Sequence, residues 1–70
     1  MHTLEPSRWD DLRIFLAVMR EGSFTAAASA LGVEQSTVSR RIASLETELG
    51  AGLFDRTPLG PRPTELAERL

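Results

Sequence analysis

The chain has 70 residues, 41% of them hydrophobic and 26% charged, with no cysteine, one histidine and a formal net charge of −2. That length allows one small domain with a modest core. Without cysteine there is no disulfide scaffold and no cysteine-held zinc, the lone His2 cannot build a histidine metal cluster, and the longest apolar run, Ile14 to Met19, is far too short to span a bilayer.

The first six residues read as a flexible tail ending at Pro6. They have neither the basic start nor the apolar stretch of an export signal, so a cytoplasmic protein is expected. His2 belongs to that tail. Ser7 opens the pattern S-R-W-D, in which a serine hydroxyl can cap the first turn and Asp10 can reach back. Trp9, Leu12, Phe15, Leu16 and Met19 then recur at spacings of three and four, which predicts an amphipathic helix with Trp9 and Phe15 in the core. Gly22 ends it, because glycine tolerates the left-handed conformation common just past a helix.

Ser23 caps the next segment, Phe24 to Leu31, which is short and rich in alanine. Alanine favours helix and lets a neighbouring helix approach closely. Gly32 closes it. Only Val33 and Glu34 intervene before a third helix, Gln35 to Leu49, in which Val38, Ile42, Leu45 and Leu49 fall on one face while Ser36, Ser39, Arg40 and Ala43 lie elsewhere. Gly50 is its stop.

Leu53-Phe54 followed by Asp55-Arg56 reads as a short strand, Thr57 to Pro61 as a turn, and Arg62 as a second short strand. Thr64 caps a last helix with Leu66 and Leu70 on one side. The predicted order is helix, helix, helix, hairpin, helix. Nothing in it offers catalysis: one tail histidine, no cysteine, no paired acids in an evident cleft and no phosphate-cradling glycine loop.

An acidic total counts against nucleic-acid binding, where a basic footprint is expected. The distribution says otherwise. Residues 1–34 carry three arginines against five acids, and residues 46–70 again three against five, whereas residues 35–45 hold Arg40 and Arg41 and no acid. All eight basic residues are arginine, the side chain suited to forked contacts with phosphate or guanine.

Two helices joined by a tight glycine turn, the second longer, form a helix-turn-helix, and the hairpin behind them forms a wing. The chain closely resembles the N-terminal domain of the LysR-type bacterial transcriptional regulators. The resemblance runs from about Trp9 to Leu70. It is carried by D-L-R-I-F-L-A-V at Asp11–Val18, E-G-S-F-T-A-A-A-S-A-L at Glu21–Leu31, Q-S-T-V-S-R-R-I at Gln35–Ile42, L-E-T-E-L-G at Leu45–Gly50 and L-F-D-R-T at Leu53–Thr57, in order and without gaps.

The resemblance implies a mainly α fold: a winged helix-turn-helix at residues 7–63, with a three-helix core and a short β-hairpin wing, followed at 64–70 by the start of a linker helix. It implies sequence-specific binding of double-stranded DNA, with Gln35 to Leu49 as the recognition helix in the major groove. The expected DNA-binding residues are Ser23, Thr25, Gln35, Ser36, Thr37, Ser39, Arg40, Arg56 and Arg62. Glutamine can pair with adenine edges, serine hydroxyls can meet base or phosphate, and arginine can fork onto guanine or phosphate. Ser23 suits both helix capping and phosphate contact, and the two are compatible. Arg56, at the start of the wing, matches a position that reaches the neighbouring backbone or minor groove. Arg41 reads as a solvated side chain or surface pair, and Glu46 as a structural ion-pair partner. No cofactor and no metal are implied.

Three departures stand out. Glu34 occupies a position where the family often has Ser or Thr. The wing reads P-L-G-P-R-P, and Pro61 and Pro63 cannot donate backbone hydrogen bonds, so an abbreviated hairpin is expected with Arg62 its remaining phosphate contact. Ala67 stands where the family commonly has Gly. The family also implies a longer protein that dimerises through the linker helix and senses a small molecule through a C-terminal domain. A fragment ending at Leu70 is then expected to self-associate weakly or not at all. A protein-interaction module that has lost affinity for DNA is the alternative, motivated by the acidic balance and Glu34.

Overall fold

The computed structural model describes residues 6–70, with side chains from Asp10 onward. The elements are α1 (Pro6–Glu21), α2 (Phe24–Leu31), α3 (Gln35–Leu49), β1 (Phe54–Thr57), β2 (Gly60–Pro63) and α4 (Glu65–Arg69). The order matches the expectation, and α2 and α3 keep the predicted bounds. Helix α1 begins at Pro6, so Ser7 lies inside it rather than at its cap. Proline suits a first helical position because its missing N–H has no intrahelical partner there anyway. The tail with His2 and the packing of Trp9 lie outside the described residues.

The first three helices pack on one another around Phe15, Val18, Val38, Ile42 and Leu53, all fully buried. Ala27 and Ala28 are buried where α2 meets its neighbours, the close approach that small side chains permit. Gly32 adopts φ 73°, and its N–H and that of Val33 bond back to carbonyls of α2, so the chain reverses within three residues.

The buried face of α1 differs from the predicted one. Asp11, Ile14, Phe15 and Val18 point inward, while Leu12 and Leu16 are exposed, Leu16 to 51%. This inward set has its own spacing of three and four, but one of its members is a carboxylate. Asp11 is only 7% exposed and accepts from Arg41 Nη1 at 3.3 Å. Arg41 is thus neither a solvated side chain nor a surface pair. It ties α3 to α1 through a half-buried bridge. Leu49 is also exposed, so the buried face of α3 ends at Ile42, with Leu45 half-buried against it.

Glu46 is not chiefly an ion-pair partner. Its Oε2 accepts from the Leu53 N–H at 2.7 Å and from the Phe54 N–H at 3.3 Å, fastening the start of the wing to α3.

The wing is a regular antiparallel hairpin, not an abbreviated one, with register Phe54↔Pro63, Asp55↔Arg62, Arg56↔Pro61 and Thr57↔Gly60. The prolines are accommodated by phase. Leu53 accepts from the Thr64 N–H at 2.9 Å, which makes that pair a hydrogen-bonded one. Bonded pairs alternate along an antiparallel ladder, so the pairs containing Pro63 and Pro61 fall at positions needing no N–H. The two-residue tip, Pro58-Leu59, is braced by Thr57, whose hydroxyl donates to the Gly60 carbonyl at 2.7 Å and accepts from the Leu59 N–H.

Thr64 caps α4 as expected, its Oγ1 accepting from the Ala67 N–H. It also donates to the Gly52 carbonyl at 2.8 Å. Ala67 is buried, Leu66 half-buried and Leu70 exposed. Among the described residues no helix is long and apolar enough to cross a membrane.

Candidate nucleic-acid interface

The site grows from two helix starts and one strand. The Ser23 side chain accepts from the Ala26 N–H at 2.9 Å and so caps α2. Its hydroxyl hydrogen is left available to an outside acceptor, and the other free N–H groups of the first turn point the same way. Helix α3 begins at Gln35 beside it. Strand β1 then brings Arg56 across from the wing. Ser23, Phe24, Thr25, Gln35, Arg56 and Thr57 line one shallow groove, closed at its wing side by Gly60 and Pro61. None of these is acidic.

Four expected residues, Ser23, Thr25, Gln35 and Arg56, therefore meet in one place although 33 positions separate the first from the last. Ser36 and Arg40 are exposed and Ser39 half-buried. At about 100° per residue they continue along α3 on the side opposite Arg41 and Leu45.

Two expected residues are placed elsewhere. Thr37 lines a second groove with Asp10, Arg13, Ile14, Leu31, Val33 and Arg41, on the flank of α3 that faces α1. Arg62 lies opposite Asp55 in the hairpin register. Side chains alternate along a strand, so that pair projects from the other face of the wing than Arg56, and the neighbouring carboxylate offsets the Arg62 charge.

Glu34 is the N-cap residue of α3, exposed, and its carboxylate makes no capping hydrogen bond. At the helix start Glu34 serves through its backbone carbonyl, which accepts from the Thr37 and Val38 N–H groups, and not through its side chain.

The residue that the sequence reading passed over is Phe24. It reads there only as the first position of an alanine-rich helix, yet its ring lies 4.5 Å beneath the Arg56 guanidinium carbon. A buried aromatic beside a capping serine is a common core feature, and only the fold brings the wing arginine over it.

The model of the family described as bacterial regulatory helix-turn-helix protein, lysR family, matches residues 9–68. The chain is 48% identical over 62 residues to the Mau operon transcriptional activator of Paracoccus denitrificans, covering 89% of this chain and 22% of that protein. It is 51% identical over 59 residues to the probable HTH-type transcriptional regulator LrrA of Synechococcus elongatus, covering 84% and 20%. The chain therefore spans about a fifth of the length of these relatives. Among solved structures, the CbnR DBD–DNA complex superposes with a TM-score of 0.84 at 33% identity, covering 87% of this chain and 70% of that one. The BenM DBD/catB site 1 DNA complex gives 0.83 at 38% identity, covering 93% and 71%.

Proposed function

The chain belongs to the LysR family of bacterial regulatory helix-turn-helix proteins, and from that premise we propose that it binds double-stranded DNA in a sequence-specific manner. In this reading α3 enters the major groove. Gln35, Ser36, Ser39 and Arg40 face base edges and phosphates, Ser23 and Thr25 meet a phosphate at the start of α2, and Arg56 reaches the adjacent backbone. The observation that carries the reading is the acid-free groove uniting Ser23, Thr25, Gln35 and Arg56 from three separate elements. Thr37 is left out because it lies on the flank of α3 that faces α1, and Arg62 because it projects from the other face of the wing beside Asp55.

The role is one of binding, in keeping with relatives named as transcriptional regulators, and the place of action is the cytoplasm. Pairing of two copies and response to a small-molecule effector are assigned to the parts of a longer protein that this chain does not span. Residues 64–70, which hold the five-residue α4, are proposed as the beginning of the segment that joins them.

The test is a titration of the 70-residue chain with duplex DNA across a range of salt. Each phosphate contact contributes a slope of about −0.9 in log affinity against log salt. Binding should weaken measurably between low and moderate salt. An affinity indifferent to salt would mean that the arginines do not neutralise phosphates, and absence of duplex binding would favour a protein-interaction module.

Glu34 supplies a second expectation. The α3 dipole favours its carboxylate by about 0.3–1 kcal/mol, in free and bound protein alike. Repulsion from a phosphate acts only in the complex, at about 1 kcal/mol for 4 Å in bulk water. Since the carboxylate makes no cap bond, serine adds one. Glu34→Ser is thus expected to raise stability slightly and to tighten duplex binding several-fold, with a smaller gain at high salt. Weaker binding by a folded variant would indicate that Glu34 accepts from a base, such as the amino group of cytosine.

A further inference from the structure

The groove has a floor whose purpose the contacts with DNA do not explain. Phe15 and Phe54 meet at a tilt of 46° with 5.8 Å between ring centroids, and Phe54 meets Phe24 edge-on at 5.9 Å. This row of rings runs outward from the core. It ends at the face of Phe24, on which the Arg56 guanidinium rests, its carbon 4.5 Å from the ring centroid. Phe24 is buried with Arg56 over its ring, so it offers a nucleic acid little surface of its own. Arg56 is exposed, on a four-residue strand that does little to restrain a long side chain.

We infer that Phe24 is a positioning residue for DNA binding: its ring seats Arg56 in the orientation that meets phosphate before the duplex arrives. This rests on the duplex-binding reading above. The placement suits the task because a cation held over a ring face by its carbon uses none of the N–H donors, which stay in the plane of the guanidinium. The cation is therefore held without consuming the groups that fork onto a phosphate. An arginine already confined loses less freedom on binding, which raises affinity without adding a contact to DNA.

The test replaces Phe24 with pentafluorophenylalanine in the chemically synthesised 70-residue chain. Fluorination reverses the charge pattern of the ring face while nearly keeping its shape. Random-duplex affinity at low salt is expected to fall about two- to fivefold, with the salt slope unchanged because the phosphate contact still forms. In an Arg56→Ala background the same replacement should cause no further loss. Phe24→Leu serves as the second variant in the same cycle should the fluorinated chain not fold. The Arg56 side-chain protons should also resonate upfield in the unmodified chain, shifted by the ring, and return to ordinary values in Phe24→Leu.

Unchanged affinity, equal weakening with and without Arg56, or unshifted Arg56 protons would each overturn the role of Phe24. These outcomes leave duplex binding by the unmodified chain intact. Failure of the unmodified chain to bind any duplex would instead overturn the duplex reading, and the role of Phe24 with it.

Discussion

Glu46→Ala is expected to lower the stability of the fold by about 2–3 kcal/mol, and Glu46→Gln by only about 1 kcal/mol. The reason is the way the chain leaves α3. The Glu46 carbonyl accepts from the Gly50 and Ala51 N–H groups, and the Glu46 side chain accepts from the Leu53 and Phe54 N–H groups. Residues 50–54 are thus wrapped around a single glutamate, and the turn depends on Gly50 at φ 71°. Hydrogen bonds to a charged group contribute about 1.5–3 kcal/mol, neutral ones about 0.5–1.5. Alanine leaves the N–H groups of two buried residues without their acceptor. Glutamine keeps an acceptor oxygen and loses only the charge. A domain of this size holds roughly 4–10 kcal/mol in all, so the alanine change removes a large part of it. Urea midpoints of the three chains decide the matter. Equal losses for glutamine and alanine would mean that the glutamate acts through its charge, as an ion-pair partner does. The wing carries Arg56, so a folded Glu46→Ala chain should also bind duplex less well than its remaining stability alone suggests.

Helices α2 and α3 are legible in the sequence because their signals are local. Ser23, Gly32 and Gly50 mark ends that depend only on neighbouring backbone groups, and Val38 and Ile42 repeat with the helical period. What the sequence hides is long-range. Among the described residues the inward face of α1 includes Asp11, and a charged residue reads as an outward one until Arg41, thirty positions later, is known to meet it. That displacement moved the expected stripe onto Leu12 and Leu16, which the fold exposes. The wing prolines mislead for a similar reason. Their lack of an N–H is costly only at a bonded position, and the phase of the ladder is set by Leu53 pairing with Thr64, not by the prolines themselves.

The same distinction applies to the candidate site. Side-chain chemistry and the family pattern pick out Ser23, Gln35 and Arg56, which the fold gathers into one groove. They also pick out Thr37, whose place one residue beyond Ser36 turns it toward α1. They omit Phe24, because an apolar residue beneath a cation carries no polar signal.

Arg40→Ala is expected to weaken binding to a preferred duplex by about 1–3 kcal/mol, the range for loss of a forked contact with a base edge. Arg40 is exposed on α3, while its neighbour Arg41 is committed to Asp11 at 3.3 Å. Of the two arginines that make residues 35–45 basic, Arg40 is therefore the one exposed on the side of α3 proposed to meet DNA. Arg41→Ala should act mainly on stability. Helix content of the Arg40→Ala chain should stay constant, because Val38 and Ile42 on the opposite side hold α3 to the core. The decisive comparison sets a preferred duplex, selected from a random pool, against unselected duplex. A base contact is lost only on the preferred one, so the ratio of the two affinities falls and discrimination relaxes at the position read. A phosphate contact is lost on both, so the ratio holds while the salt slope becomes shallower by about 0.9. The first outcome is expected, since Arg40 lies one turn beyond Ser36 on the exposed side of α3. The second would move Arg40 to the backbone and leave Gln35, Ser36 and Ser39 to read sequence.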